Sequence, residues 1–282
     1  MFKKSGVVQK NHYRGFCALY AIRAPGLYRL PSEVFYPLPR FKDGDDKIIV
    51  FDSYSSLRQI NWLCGKYPDK RIVFWYWNRV SNAHWMDQMP ARVEKWSFSK
   101  TDCRKYGLRY NTQFFFDCLA AEAAGCRKAA HTGPLKALFL GRDKGRAAVL
   151  AEISKELEAA GVSVDLRITP PQTGRMGVFK ESLTPYTDVI GLVKNTDILL
   201  DYAMDPDTGI SMRAMEALFF GKKLITNNKE ILQADFYSPS NIYVLGSDGR
   251  TLAEFVDSPL SEVDETILDN YLLSNWLRRF DG

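Results

Sequence analysis

Residues 197–227 read DILLDYAMDPDTGISMRAMEALFFGKKLITN. An apolar run from Ile198 to Leu200 closes on Asp201, and a polar turn containing Pro206 and Gly209 follows. Helical spacing then continues to Gly221, after which Leu224 and Ile225 resume a β-type run. Strand, turn, helix, glycine stop and strand form the unit from which parallel sheets with crossover helices are built. The same alternation surrounds it. KALFLG (136–141), VSVDLRIT (162–169) and NIYVLG (241–246) read as strands, while GRAAVLAEISKELEAAG (145–161) and PYTDVIGLVKNT (185–196) read as helices. The pattern predicts a doubly wound α/β domain.

Upstream the alternation is thinner. IIVF (48–51), RIVFWYW (71–77), EKWSFS (94–99) and RYNTQFF (109–115) are strand candidates, with helices in SLRQINWLCGKYP (56–68) and TDCRKYG (101–107). YRGFCALYAIRAPGLYRL (13–30) reads as a helix, and no clean strand opens the domain. The first domain is therefore expected to be abbreviated. The alanine-rich LAAEAAGCRKAAHTGP (119–134) is read as the junction. Domains of 1–130 and 131–262 follow, with an amphipathic terminal helix over 263–282 bracing the two.

Length and composition agree with this division. At roughly 100–200 residues per domain, 282 residues make about two. A hydrophobic fraction of 46% supports real cores. No apolar run reaches the ~20 residues of a membrane-spanning helix, and MFKKSGVVQKNHYRGF lacks the apolar segment of a secretion signal. Five scattered cysteines without a CxxC pair fit a reducing compartment, so a cytoplasmic protein is expected. The three histidines, His12, His84 and His131, are too far apart in sequence to propose a histidine-built metal centre. The net charge of +5 and the pI of about 8.8 suit an anionic ligand or an acidic lipid surface. Basic residues are spread along the chain, which gives no nucleic-acid stripe.

Three strand-to-helix connections carry candidate chemistry, because open α/β sheets bind ligands beyond the C-terminal ends of their strands. GRDKGR (141–146) places Arg142, Lys144 and Arg146 around Gly141 and Gly145, suited to a diphosphate; the alternative is a solvated basic turn. Gly209 to Ser211 open a helix whose first amides lack intrahelical acceptors, with Arg213 and Glu216 three apart on one face. Glu216 is typed to accept from paired ribose hydroxyls; the alternative is a surface Arg–Glu pair. PPQTGRMG (170–177) is a third loop, with Arg175, that reads as ordinary surface. Neither the dinucleotide nor the P-loop pattern is present.

KALFLGRDKGR, YTDVIGLVKNTDILLD and GISMRAMEALFFGKKLITNNKEILQADFY together resemble the two-Rossmann-domain (GT-B) glycosyltransferases, particularly bacterial enzymes of lipopolysaccharide and capsule oligosaccharide assembly. The resemblance runs roughly from Ile48 to Tyr243. It implies two Rossmann-like domains with a cleft between them and a nucleotide-sugar donor in the C-terminal one. Gly141, Arg142, Lys144, Gly209, Ser211 and Arg213 would lie at the donor phosphates, and Glu216 at the ribose. It further implies transfer without a metal or cofactor to an oligosaccharide or lipid-linked saccharide acceptor, with peripheral contact at the cytoplasmic face of the inner membrane. The family's retaining pattern has two glutamates eight positions apart, whereas this chain has Thr208 at the partner position to Glu216. Retention or inversion is left open, with Asp205 or Asp207 near the sugar as substitutes. Asp52 and His84 are the candidate bases for inversion; their alternatives are a helix cap and a loop histidine. A nucleotide-sugar epimerase and a non-catalytic nucleotide-binding scaffold stand as rival readings.

Overall fold

The computed structural model describes residues 46–52, 56–80, 84–127, 133–169, 186–206 and 209–281. The expected helix over 13–30, the loop 170–177, and Asp207 and Thr208 lie outside the described residues. Two compact units divide between Asn111 and Thr112.

In the N-terminal unit, β1 (Lys47–Phe51), β2 (Arg71–Tyr76), β3 (Val93–Ser97) and β4 (Arg109–Tyr110) form a parallel sheet in sequence order. Helices α1 (Leu57–Lys66), α2 (His84–Gln88) and α3 (Lys100–Tyr106) lie between successive strands in the chain. Local chemistry sets the helix ends. Ser56 caps α1 through the Gln59 N–H, and Ser99 caps α3 through the Asp102 N–H. Gly107, with φ of 64°, supplies the left-handed stop that a side chain would resist. Ile72, Phe74 and Tyr76 alternate onto one core with Ile48, Val50, Ile60 and Leu63.

The C-terminal unit holds β5 (Lys136–Arg142), β6 (Ser163–Thr169), β7 (Ile198–Asp201), β8 (Lys223–Thr226) and β9 (Ile242–Val244). All pair in parallel, in the order β6-β5-β7-β8-β9. Its helices are α4 (Asp117–Arg127), α5 (Ala147–Ala159), α6 (Tyr186–Lys194), α7 (Met212–Phe220), α8 (Leu252–Asp257), α9 (Glu265–Asn270) and α10 (Leu273–Arg278). Side-chain alternation builds two cores. Leu138, Leu199, Leu224 and Ile242 pack with α4, α6 and α7; Ala137, Phe139, Ile198, Leu200 and Ile225 pack with α5 and α8. Helices on both faces of a parallel sheet are the doubly wound arrangement. Edge strand β6 alternates exposed and half-buried residues, and Arg167 pairs with Asp165 along it. Charges of this kind discourage further strand pairing.

Two expectations differ from what is seen. The alanine-rich segment forms α4, which packs Leu119, Ala120 and Ala123 into the core of the C-terminal unit. The division accordingly falls after Asn111, not after residue 130. The single terminal helix is instead α9, α10 and a closing turn of 3-10 helix, Arg279–Asp281. The break occurs because Phe115 pairs strand-like with Leu272, accepting the Leu273 N–H at 2.8 Å and giving its own N–H to Tyr271 at 2.7 Å. Trp276 donates Nε1 to the Thr112 carbonyl at 2.9 Å, and both Trp276 and Phe280 are buried. Within this unit the segment closes onto Thr112–Phe116.

Candidate functional site

The strand order places a topological switch point between β5 and β7, since the chain leaves β5 toward β6 on one side and β7 lies on the other. The register shows the gap. β5 pairs with β6 from Lys136 to Arg142, but with β7 only at Ala137 and Leu138. Beyond Leu138 the two strands part, and their C-terminal ends carry Gly141 and Arg142 on one side and Asp201 on the other.

The GRDKGR segment makes a tight turn here. The Arg146 N–H donates to the Asp143 carbonyl at 3.0 Å, with Lys144 and Gly145 at φ of 49° and 83°. Two consecutive positive φ values in a four-residue turn are the mirror-image type I geometry. Asp143 Oδ1 accepts the Ala147 N–H at 2.9 Å and secures the start of α5. Arg142 and Lys144 are exposed. Arg146 folds back: its Nε donates to the Arg142 carbonyl at 2.9 Å, its Nη1 to the Tyr202 carbonyl, and its guanidinium lies 4.7 Å from the centre of the Phe139 ring. Gly141 leaves room for it, because a Cβ there would sit 2.7 Å from Arg146 Nη2. Burial pulls the Arg146 guanidinium below its ordinary range, against the opposing charges of Asp201 and Asp143. Of the three basic residues in the turn, Arg146 reaches across the gap.

The second half of the site is the entry to α7. Ser211 caps the helix by accepting the Ala214 N–H at 3.1 Å and donates its hydroxyl to Asp201 Oδ2 at 2.7 Å. In this structure the hydroxyl proton is directed at Asp201. Gly209 holds φ of 80°, a left-handed conformation in which an L side chain is strained. Arg213 Nη1 bonds Glu216 Oε2, with the two side chains only 14% and 2% exposed. This is a buried ion pair, unlike a solvated surface pair. Burial pushes the Glu216 carboxyl up, opposed by Arg213 and the Tyr186 hydroxyl. Asp201 is likewise pushed up by burial, opposed by Ser211, Arg213 and Arg146. Two carboxylates and two guanidiniums thus converge at the end of β7, where low polarity amplifies each charge.

The other candidates fall elsewhere. Asp52, at the end of β1, accepts from the Trp77 and Asn78 N–H groups at 3.1 and 3.3 Å and from Asn78 Nδ2 at 3.4 Å. These bonds tie the exits of two strands together. His84 begins α2, and its side chain lies outside the described residues. Asp205 is exposed in the connection after β7. The sequence reading passed over Asp201, Asn227 and Asn228. Asp201 was legible as the only charged residue closing the β7 run, and the asparagine pair as the polar exit of β8. Among the described residues no group of three His, Cys, Asp or Glu side chains could hold a metal, and no helix is long and apolar enough to cross a membrane.

No family model matches the chain, and no curated protein matches it in sequence. Among solved structures it is similar to the N-terminal domain of Candida albicans trehalose-6-phosphate phosphatase. That match has 12% identity and a TM-score of 0.49, covering 86% of this chain and 70% of that one. A second similarity is to a GtfA/B complex, at 9% identity and a TM-score of 0.43, covering 81% of this chain and 60% of that one. Both matches are at low identity, with TM-scores below 0.5. The chain is a mixed α/β protein with two parallel, Rossmann-like sheets of four and five strands.

Proposed function

We propose that the chain is a glycosyltransferase of GT-B type whose C-terminal unit takes a nucleotide-sugar donor at the β5–β7 switch point. The observation that carries this reading is the convergence of Arg146, Asp201, Ser211, Arg213 and Glu216 where those strands part. The sequence resemblance, which implies a donor diphosphate and ribose on this same segment, supports the reading. Exposed Arg142 and Lys144 are available cations at the mouth, and charge developing on a departing phosphate oxygen would be met by preorganised donors there. Glu216, already engaged by Arg213, would exchange that bond for ribose hydroxyls or hold Arg213 toward the ligand. The acceptor is proposed to be an oligosaccharide or lipid-linked saccharide of lipopolysaccharide or capsule assembly, handled by the N-terminal unit, and transfer is proposed to need no metal.

Calorimetric titration with UDP-, GDP-, CMP- and dTDP-sugars tests the reading. One donor is expected to bind, with at least a tenfold loss in Arg142→Ala and in Glu216→Gln. Wild-type affinity in both variants removes the site, and the absence of binding by any donor favours a scaffold. Consumption of donor without acceptor would identify an epimerase.

A further inference from the structure

The connection between β7 and α7 is held from outside by two consecutive asparagines that follow β8. Asn227 accepts the Ala203 N–H on Oδ1 at 2.9 Å and returns Nδ2 to the Ala203 carbonyl at 2.6 Å, clasping one residue's backbone at two points. Asn228, buried, donates Nδ2 to the Gly209 carbonyl at 2.6 Å while its Oδ1 caps the following 3-10 turn, Lys229–Gln233, through the Glu230 N–H at 2.9 Å. A third anchor comes from Gln113, also buried, whose Nε2 lies 3.5 Å from the Ile210 carbonyl. Three amide side chains from two distant parts of the sequence thus fix Ala203, Gly209 and Ile210.

The consequence is directional. In a trans peptide the N–H points opposite to the C=O. Capture of the Gly209 and Ile210 carbonyls therefore turns the Ile210 and Ser211 N–H groups away from Asn228 and Gln113. Burying an amide side chain is costly unless every polar atom is satisfied, so such anchors define one backbone orientation when they are complete. We propose that Asn227 and Asn228 are positioning residues for the donor site: they set the aim of the segment entering α7, and with it the placing of Ser211 on Asp201. This inference rests on the donor-site reading above.

Its test separates the two. Nucleotide affinity is measured by calorimetry with UDP, GDP, CMP and dTDP for the wild type, Asn227→Ala, Asn228→Ser and Asn241→Ala, with folding checked by circular dichroism and Tm. Asn228→Ser retains a side chain able to cap the 3-10 turn and removes the reach to Gly209. Asn241 is the control. It clasps Ser261 in the same reciprocal manner, at 2.8 and 2.7 Å, beside β9. For the nucleotide that binds, Asn227→Ala and Asn228→Ser are expected to lose at least tenfold in affinity, and Asn241→Ala less than twofold at a comparable fall in Tm. Wild-type affinity in the first two variants, or an equal loss in Asn241→Ala, overturns the positioning role while leaving the donor site standing. A wild-type chain that binds none of the four overturns the donor reading, and the positioning role with it.

Discussion

The guanidinium of Arg146, at the start of α5, donates to the backbone carbonyl of Tyr202 at the exit of β7, and so spans the gap where β5 and β7 separate. Removing it leaves the Tyr202 and Arg142 carbonyls without this donor and uncovers the Phe139 ring. Arg146→Ala is expected to cost about 1–3 kcal/mol in urea unfolding, the range for a lost buried donor. Arg146→Lys should recover less than half, because a single ammonium does not reproduce a planar fork that reaches two carbonyls.

Lys144 adopts φ of 49° without being glycine, and its side chain is exposed beside the same gap. Left-handed backbone costs an ordinary residue about 1 kcal/mol. Lys144→Gly is therefore expected to hold or raise Tm while weakening the proposed donor binding severalfold. Tm and calorimetry on the same preparation check both halves. A fall in Tm with unchanged binding would remove Lys144 from the site.

Lys223, buried in β8, donates Nζ to the Phe255 carbonyl and, at 2.6 Å, to the Ser258 carbonyl, at the end of α8. Burial, reinforced by Arg250, lowers its pKa to about 8. The unfolded chain then holds more protons than the folded one above that value, so stability rises with pH from about 8 toward the ordinary lysine range. The increment is lost as pH falls through 8. Chemical denaturation at several pH values, beside Lys223→Met, should show the wild type gaining on the variant across that window.

In the N-terminal unit, buried Asp102 takes Arg79 Nε on both oxygens at 3.0 Å and the Val80 N–H at 2.9 Å. Asp102→Ala strands those donors and is expected to destabilise this unit by roughly 2–4 kcal/mol, since breaking a buried pair leaves uncompensated polar groups. Hydrogen exchange should show lost protection in β2 and β3, with β5–β9 unaffected.

The strands from β5 to β9 were legible to within two residues at each end because their period-two apolar pattern and glycine stops agree with the tertiary packing. The run 109–115 was not. Only Arg109 and Tyr110 join the sheet, and Gln113 and Phe115 are drawn instead to Ile210 and to the terminal segment. Apolar alternation does not reveal which partner wins. Likewise, nothing in GRDKGR distinguishes the arginine that folds inward from the two cations that stay in water. That choice follows from space above Gly141 and the carbonyl of Tyr202, which belong to distant parts of the chain. Arg213 and Glu216 were visible as a pair, but their burial depends on α6 covering α7.

Trp276 and Phe280 fill space against the backbone and rings of Thr112 to Phe116. During synthesis, the seam against Thr112–Phe116 therefore stays open until Phe280 has been added and has emerged, whereas the strands of the four-stranded sheet are all present 170 residues earlier. Nascent chains arrested short of Leu273 should present that unfinished hydrophobic seam to chaperones, even though every strand of the larger unit has already been made.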